Sequence, residues 1–267
     1  MTGVIFGVLK YFYRFLIDLT NSLYISNLIR RYTTSKISKH IIPSFTRVFN
    51  INKEEMEKNL EDYNSLHEFF IRSLKAGVRS VEEDPQSVIS PVDGYIEDIG
   101  NISSQKHIYV KGQLFSVKEL LGNEKAYAKY DEGVYIIIYL SPKDYHRIHS
   151  PVSGMVVSQW DLGGKSYPVN KWGLKYGKSP LSKNFRKITE VECSGKHVVI
   201  AKVGALFINS ITLTHKNDFI KKGEEIGYFS FGSTVVLLFE KESFRPVDDI
   251  KNNHIKMGQK IGVFIQK

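Results

Sequence analysis

Two repeated sequence units constrain the fold of this chain more than any other feature. Residues 90–94 (SPVDG) recur as residues 150–154 (SPVSG), and residues 222–229 (KGEEIGYF) recur in outline as residues 257–264 (MGQKIGVF). Each unit joins a Gly-containing turn to a short apolar segment of strand length. Because repeated turn–strand units pack as equivalent parts of a sheet, the repeats predict a β-sandwich or partial barrel.

Three apolar runs supply candidate central strands for this β-rich part of the chain. Residues 135–140 form a continuous β-branched and apolar run, and residues 196–203 and 235–239 are similar. Such runs are typical of strands that are buried on both faces of a sheet.

The first 80 residues carry helical patterns instead. Polar residues at Lys10, Arg14 and Asp18 recur at helical spacing among apolar residues, which predicts an amphipathic helix. This helix could lie flat on a membrane surface or pack its apolar side on the rest of the domain. No apolar run reaches the roughly 18–20 residues that span a bilayer. Two further helix starts are predicted where a cap residue precedes an acid by three positions, at Asn52–Glu55 and Ser65–Glu68.

These patterns predict an α+β fold in two regions. Residues 1–80 form a helical, membrane-associating region, and residues 81–267 form a β-rich catalytic domain. The single cysteine excludes an intrachain disulfide.

Positive charge is concentrated in two segments. Of the net charge of +9, residues 1–50 carry +6 and residues 162–189 carry +7, which leaves the rest of the chain at −4. Both segments predict attraction to a polyanion, either an anionic membrane surface or nucleic acid. The glycines and prolines of segment 162–189 predict a flexible loop, either a lid or surface anchor or simply a solvated loop.

Asp93, His149 and Ser233 are the residue types of a charge-oriented nucleophile, in which a carboxylate holds the imidazole that takes the hydroxyl proton. Taken alone, Gly232-Ser233 before an apolar strand is also an ordinary turn, and the Gly-x-Ser-x-Gly elbow of esterases is missing. His146 and His149 have the spacing of half a metal site, but no acidic or cysteine partner lies at ligand spacing, so no metal is predicted.

Several motifs, in this order along the chain, resemble the phosphatidylserine decarboxylases of the prokaryotic, self-processing type. They are residues 65–75 (SLHEFFIRSLK), 90–94, 111–116 (KGQLFS), 145–151 (YHRIHSP), 222–227 (KGEEIG) and 231–234 (FGST). The resemblance covers nearly all of the chain beyond residue 40.

The resemblance implies that the chain cuts itself between Gly232 and Ser233 into a β chain, 1–232, and an α chain, 233–267, which stay associated. Ser233 would attack the Gly232 carbonyl and then become a covalent pyruvoyl cofactor. His149 would be the base and Asp93 its orienting acid, and His146 would later protonate the carbanion. The pyruvoyl group would form a Schiff base with phosphatidylserine, release carbon dioxide and yield phosphatidylethanolamine, a step in phospholipid biosynthesis.

The polar stripe of Lys10, Arg14 and Asp18 and the positive charge of residues 1–50 predict a peripheral location on the cytoplasmic side of the cell membrane, bound to an anionic surface and not to nucleic acid. A homodimer is left open. Two other functions remain open on the residues alone. One is a serine hydrolase that keeps its chain intact, and the other is a carrier-like or membrane-binding module that has lost processing.

Overall fold

The described strands of this protein form one large antiparallel sheet and three small ones. The computed structural model describes residues 23–105, 107–110, 112–176, 179–205 and 211–265. Its strands are β1 Ser87–Ile89, β2 Gly94–Asn101, β3 His107–Val110, β4 Gln113–Ser116, β5 Val134–Leu140, β6 Arg147–His149, β7 Gly154–Leu162, β8 Arg186–Cys193, β9 Lys196–Gly204, β10 Ile211–Leu213, β11 Phe219–Ile220, β12 Glu225–Phe229, β13 Ser233–Phe239, β14 Phe244–Pro246, β15 His254–Ile255 and β16 Lys260–Phe264.

The strand order divides the domain into two similar halves. The large sheet runs β11-β7-β8-β9-β13-β5-β2-β15, and two three-stranded sheets run β10-β12-β6 and β14-β16-β1. When the order of the large sheet is read from the other end, β2 takes the place of β7, β5 that of β8 and β13 that of β9. The two three-stranded sheets correspond to each other in the same way. The pairing of β6 with β12 therefore corresponds to the pairing of β1 with β16. We interpret the domain as two halves related by an approximate two-fold axis between β9 and β13.

The sequence repeats lie at equivalent places in the two halves, as predicted. The hydroxyls of Ser90 and Ser150 each donate to the carbonyl two residues ahead, at 2.7 and 2.6 Å. The two units also interlock, because the Ile89 N–H donates to the Pro151 carbonyl and the His149 N–H donates to the Pro91 carbonyl. The repeats therefore form the junction between the two halves.

Apolar layers cover both faces of the large sheet. One layer includes Ile137, Val203 and Val236, and the other includes Ile138, Ile200 and Val235. Residues alternate between the layers along β5, β9 and β13, so the prediction that these strands are buried on both faces is confirmed. The architecture fits a sandwich, and within the described residues the edge strands β11 and β15 do not pair, so the sheet does not close into a barrel.

Short helices precede and interrupt the strands. They are α1 Leu23–Thr34, α2 Ile42–Phe49, α3 Leu66–Phe70, α4 Val117–Leu121, α5 Glu124–Ala128, α6 Lys171–Tyr176 and α7 Pro180–Lys183, with 3₁₀ turns at Lys36–Ile41 and Leu60–Asp62. The amphipathic helix predicted around Lys10, Arg14 and Asp18 lies outside the described residues. No helix in the described part of the chain is long and apolar enough to span a membrane.

One of the two predicted helix starts is confirmed. Ser65 caps α3, because its hydroxyl accepts the Glu68 N–H at 3.1 Å. The start at Asn52 is wrong: the Asn52 side chain accepts the Glu54 N–H in a turn, and Glu55 binds Arg79 instead of a helix end.

The basic segment 162–189 also differs from the predicted loop. It contains α6, α7 and the start of β8, and its aromatic residues Tyr167 and Tyr176 are buried. Arg186 is buried as well and donates to three backbone carbonyls, of Leu120, Glu119 and Asn184, at 2.6 to 3.0 Å. Arg186, one of the cations of this segment, therefore stabilises the fold through buried hydrogen bonds.

Candidate active site

Gly232 and Ser233 lie where a turn enters the central strand β13. Ser233 pairs with Leu140 of β5 and Gly204 of β9 and is fully buried. Gly232 has a positive φ of 25°, a conformation that glycine adopts at little cost. Its carbonyl accepts the N–H of Ala205 at 2.8 Å. The carbonyl that a Ser233 attack would use is therefore already polarised by a backbone donor.

The Ser233 hydroxyl is an unsatisfied buried group. Its Oγ has no hydrogen-bond partner in the described part of the chain, and the same holds for Oγ1 of the next residue, Thr234. A buried hydroxyl without a partner costs about 1–3 kcal/mol, and such groups concentrate where chemistry uses them.

His149 ends β6 with both ring nitrogens engaged. Nδ1 lies 2.8 Å from the Gly223 carbonyl, and Nε2 lies 3.2 Å from the Tyr145 hydroxyl. Because a carbonyl only accepts, Nδ1 carries the proton and Nε2 presents its lone pair. Burial lowers the pKa of His149, which favours this neutral form. His149 therefore has the tautomer of a general base.

Asp93 is placed differently from the prediction that it orients His149. Arg79 donates Nε to Oδ1 at 2.9 Å and Nη2 to Oδ2, and the Met257 N–H donates to Oδ1 at 2.8 Å. No hydrogen bond joins Asp93 to His149 among the described residues, because Arg79 occupies both carboxylate oxygens. The Gly223 carbonyl, instead of Asp93, accepts the hydrogen bond from Nδ1 of His149 and so orients the ring.

Arg79 also binds Glu55, at 2.7 Å. Although burial opposes it, hydrogen bonding to both acids raises the pKa of Arg79, so the guanidinium stays charged. Asp93 and His149 are nevertheless neighbours through the backbone, since the His149 N–H donates to Pro91.

His146 is fully buried beside the turn that leads to Ser233. Its Nδ1 donates to the Asp144 carbonyl at 2.8 Å, while Nε2 has no partner in the described structure. Burial, helped by the charge of Arg72, lowers the pKa of His146 to about 3. The ring lies 4.0 Å from Phe70, which stacks on Phe231 at 4.8 Å. His146 is therefore a neutral base with a free lone pair close to the Gly232-Ser233 turn.

The structure thus joins Asp93 to His149 through the backbone, and it places His146 against Phe70, which stacks on Phe231 beside the cleavage pair. Among the described residues neither histidine is hydrogen-bonded to the Ser233 hydroxyl. Sequence reasoning missed Tyr145, Arg72, Arg79 and Ala205. Arg72 lies inside the motif 65–75, and Arg79 follows that motif by four residues, but neither position indicates what the guanidinium binds. The Ala205 N–H is a backbone group and left no signal in the sequence.

Comparison with known proteins identifies the family. The family model described as phosphatidylserine decarboxylase matches residues 66–263. The chain is 55% identical to a phosphatidylserine decarboxylase proenzyme of Anoxybacillus flavithermus, over 97% of this chain and 98% of the relative. Proenzymes of the same name from a Geobacillus species and from Bacillus thuringiensis are 54% and 50% identical, over 96% and 93% of this chain and 99% and 95% of theirs. This chain belongs to the phosphatidylserine decarboxylase family and is a decarboxylase.

Proposed function

We propose that the chain cuts itself between Gly232 and Ser233, and that the pyruvoyl group made from Ser233 decarboxylates phosphatidylserine to phosphatidylethanolamine and carbon dioxide. The observation that carries the proposal is the pairing of an unsatisfied Ser233 hydroxyl with a Gly232 carbonyl polarised by the Ala205 N–H. The word proenzyme in the names of the relatives supports processing.

The first stage replaces an amide with an ester. The Ser233 hydroxyl oxygen bonds to the Gly232 carbonyl carbon, the bond to the Ser233 nitrogen breaks, and that nitrogen gains the proton that the hydroxyl loses. The Ala205 N–H stabilises the negative charge that develops on the carbonyl oxygen. His149 is the base for the hydroxyl proton through Nε2, which requires that the Tyr145 hydroxyl give up its hydrogen bond.

The second stage removes the ester. A base takes the Cα proton of Ser233, the Gly232 carboxylate leaves, and water converts the resulting enamine, through its imine, to a ketone with release of ammonia. Asp93 acts on His149 in this scheme by its charge or after release from Arg79. The strain-tolerant Gly232 permits the close attack, because no Cβ obstructs the carbonyl.

Lipid decarboxylation then needs a proton carrier. The pyruvoyl group would supply a ketone for Schiff-base formation with the serine amine and an electron sink for the loss of carbon dioxide. The free Nε2 of His146 would hold the proton that the substrate ammonium must lose, which requires that the negative charges of the bound lipid offset the burial that lowers the pKa of this ring. His146 then returns that proton to the carbon that carried the carboxylate.

We also propose that the protein works at the cytoplasmic face of the membrane, bound peripherally to anionic lipid. The exposed surface of residues 28–49 supports this location. Its exposed side chains include the cations Arg30, Arg31 and Arg47 and the apolar Ile37 and Val48, which are 69% and 75% exposed. No acidic residue occurs between residues 19 and 53. Such a surface suits an anionic interface.

The deciding experiment is the intact mass of the purified protein. We expect two chains, the smaller being residues 233–267 with a blocked N-terminus and a mass of about 4 kDa, because a cofactor made from the chain adds no external mass. Ser233→Ala should give one uncut, inactive chain. A Ser233→Ala protein that still releases carbon dioxide from phosphatidylserine would refute the proposal, and an uncut wild-type chain would point to a serine hydrolase or a binding module.

A further inference from the structure

A buried guanidinium without a carboxylate partner lies beside the active site. Arg72, two residues after α3, is 4% exposed, and its Nη2 donates to the backbone carbonyls of Lys143 and Asp144 at 2.7 and 3.1 Å. Its Nε and Nη1 have no partner in the described part of the chain, and no ion pair there includes it. Burial lowers the pKa of Arg72, and the nearby carboxylates of Asp93, Asp144 and Glu55 partly oppose that effect. None of the three forms an ion pair with Arg72 among the described residues. Because buried charges are normally paired, the two unbonded nitrogens remain available to a further anion.

Arg72 lines a cavity of about 240 Å³ that has room for a small polar group. Further positive charge on its walls comes from Arg79, Lys143 and Lys256, and negative charge comes from Glu55, Asp93 and Asp144. Walls of both signs suit a zwitterionic guest better than a simple anion.

The cavity adjoins the candidate catalytic groups. The Asp144 carbonyl accepts from Arg72 Nη2 and also from His146 Nδ1, so a single backbone oxygen separates the guanidinium from the imidazole. Tyr145, which lines the same cavity, is hydrogen-bonded to His149. A guest held by Arg72 would therefore be linked through Asp144 and Tyr145 to both candidate catalytic histidines.

We propose that Arg72 binds the phosphodiester of the phospholipid headgroup, an inference that rests on the proposed function. The planar fork of a guanidinium matches two oxygens of a phosphate. The other anion of the substrate is the carboxylate, and it is the poorer choice. Decarboxylation removes the carboxylate charge, so an ion pair with it would stabilise the ground state and slow the reaction, whereas the phosphodiester keeps its charge throughout.

The test measures headgroup binding to the uncut chain, whose cavity is the one described. Two headgroups are titrated separately into Ser233→Ala protein. Glycerophosphoethanolamine has the phosphodiester but no carboxylate, and glycerophosphoserine has both. The same titrations are made with Arg72→Gln and Arg72→Lys added, and with Arg245→Gln, which removes an exposed arginine on β14. Thermal unfolding of each variant checks that it is folded.

We expect Arg72→Gln to weaken binding of both headgroups by a similar factor, about tenfold to a hundredfold, since a hydrogen bond to a charged group is lost. Arg72→Lys should retain part of the affinity, because it keeps the charge without the fork, and it decides the question if Arg72→Gln does not fold. Arg245→Gln should bind as the parent does. In the processed enzyme, Arg72→Lys should raise KM more than it lowers kcat.

Three results would overturn the inference. Weaker binding of glycerophosphoserine alone would assign Arg72 to the carboxylate. Equal affinities in all variants would leave Arg72 as a support for the Lys143 and Asp144 carbonyls only. Failure of the Ser233→Ala chain to bind either headgroup would exclude the site. None of these results bears on the proposed function, which the mass of the wild-type chain decides.

Discussion

At the residue scale, the two histidines share a tautomer and differ in what their second nitrogen meets. The Gly223 carbonyl holds Nδ1–H of His149, and the Asp144 carbonyl holds Nδ1–H of His146. Nε2 of His149 faces the Tyr145 hydroxyl, whereas Nε2 of His146 faces no described polar group. Both rings can act as bases, and the proposed roles differ in the step that each serves: self-cleavage for His149 and decarboxylation for His146.

Alanine variants separate the two histidines. His149→Ala should remain one uncut chain, because it removes the base for the Ser233 hydroxyl. His146→Ala should cut itself and form the blocked small chain, yet decarboxylate poorly, by a factor of about 10²–10⁴ for a lost proton carrier. Cleavage is followed by gel and mass, and carbon dioxide release is followed separately. If His149→Ala matures while His146→Ala stays uncut, the roles are reversed.

Burial of His146 also predicts how stability depends on pH. Its pKa is about 3 in the folded chain and 6.5 in the unfolded chain, so below pH 6.5 the unfolded state binds more protons. The free energy of unfolding should therefore fall as pH drops below about 6.5, by up to ~1.4 kcal/mol per pH unit from this residue. Denaturant unfolding of Ser233→Ala protein, with and without His146→Gln, isolates this contribution. Equal slopes in both proteins between pH 6.5 and 5 would contradict it.

At the element scale, the two halves of the domain share a framework and differ in chemistry. The Met257 N–H donates to Asp93 in one half, and the Lys222 N–H donates to Ser153 at 2.9 Å in the other. Asp93 and Ser153, which differ between the sequence repeats, therefore occupy equivalent positions in the structure. In each half the side chain accepts one backbone N–H. Only the Asp93 copy adds a carboxylate, which binds Arg79.

This equivalence supplies a matched pair of variants for Asp93. Asp93→Ser should fold, because a serine at this position can accept the Met257 N–H as Ser153 accepts that of Lys222. Its self-cleavage should slow, by as much as ~10⁴-fold if the carboxylate acts on His149. Ser153→Ala, the control, should lose about 1 kcal/mol of stability and still cut itself. For both variants we would measure the rate at which the small chain appears, and thermal unfolding. If Asp93→Ser cuts itself at the wild-type rate, Asp93 serves only to form the turn.

The elements that could be predicted from the sequence are those formed by residues close together along the chain. The central strands and the Ser65 cap were predictable, because apolar runs and cap residues act through nearby positions. The failed helix start at Asn52 and the missing bond from Asp93 to His149 have one cause: Arg79 binds both Glu55 and Asp93, 24 and 14 residues away. Such competition for a carboxylate depends on tertiary contacts and leaves no local pattern.

At the scale of the whole molecule, the helical region adjoins the cleavage turn. Phe231 packs against the apolar cluster of Ile42, Tyr63 and Phe69, and His67 Nε2 lies 3.1 Å from the Ser230 hydroxyl. The surface of residues 28–49 that we propose to meet lipid therefore belongs to the same packed unit as the turn before Ser233. A protein bound through this surface would hold its cavity close to the interface that supplies its substrate.

Vesicle binding tests this arrangement. Deleting residues 1–25 should weaken binding to anionic vesicles more than it slows self-cleavage, and the Ile37→Glu, Val48→Glu double variant should also bind weakly, because it places acids on an apolar and cationic surface. Val157→Glu, at a 43% exposed position on β7, is the control for an added charge and should bind as the wild type does. Sedimentation with vesicles over a range of salt concentrations measures the effect. Each cation near an anionic surface contributes about 1 kcal/mol, and salt screens that attraction, so wild-type binding should fall steeply as salt rises. Equal binding to neutral and anionic vesicles, with no response to salt, would instead indicate that the helical region serves only to pack against the domain.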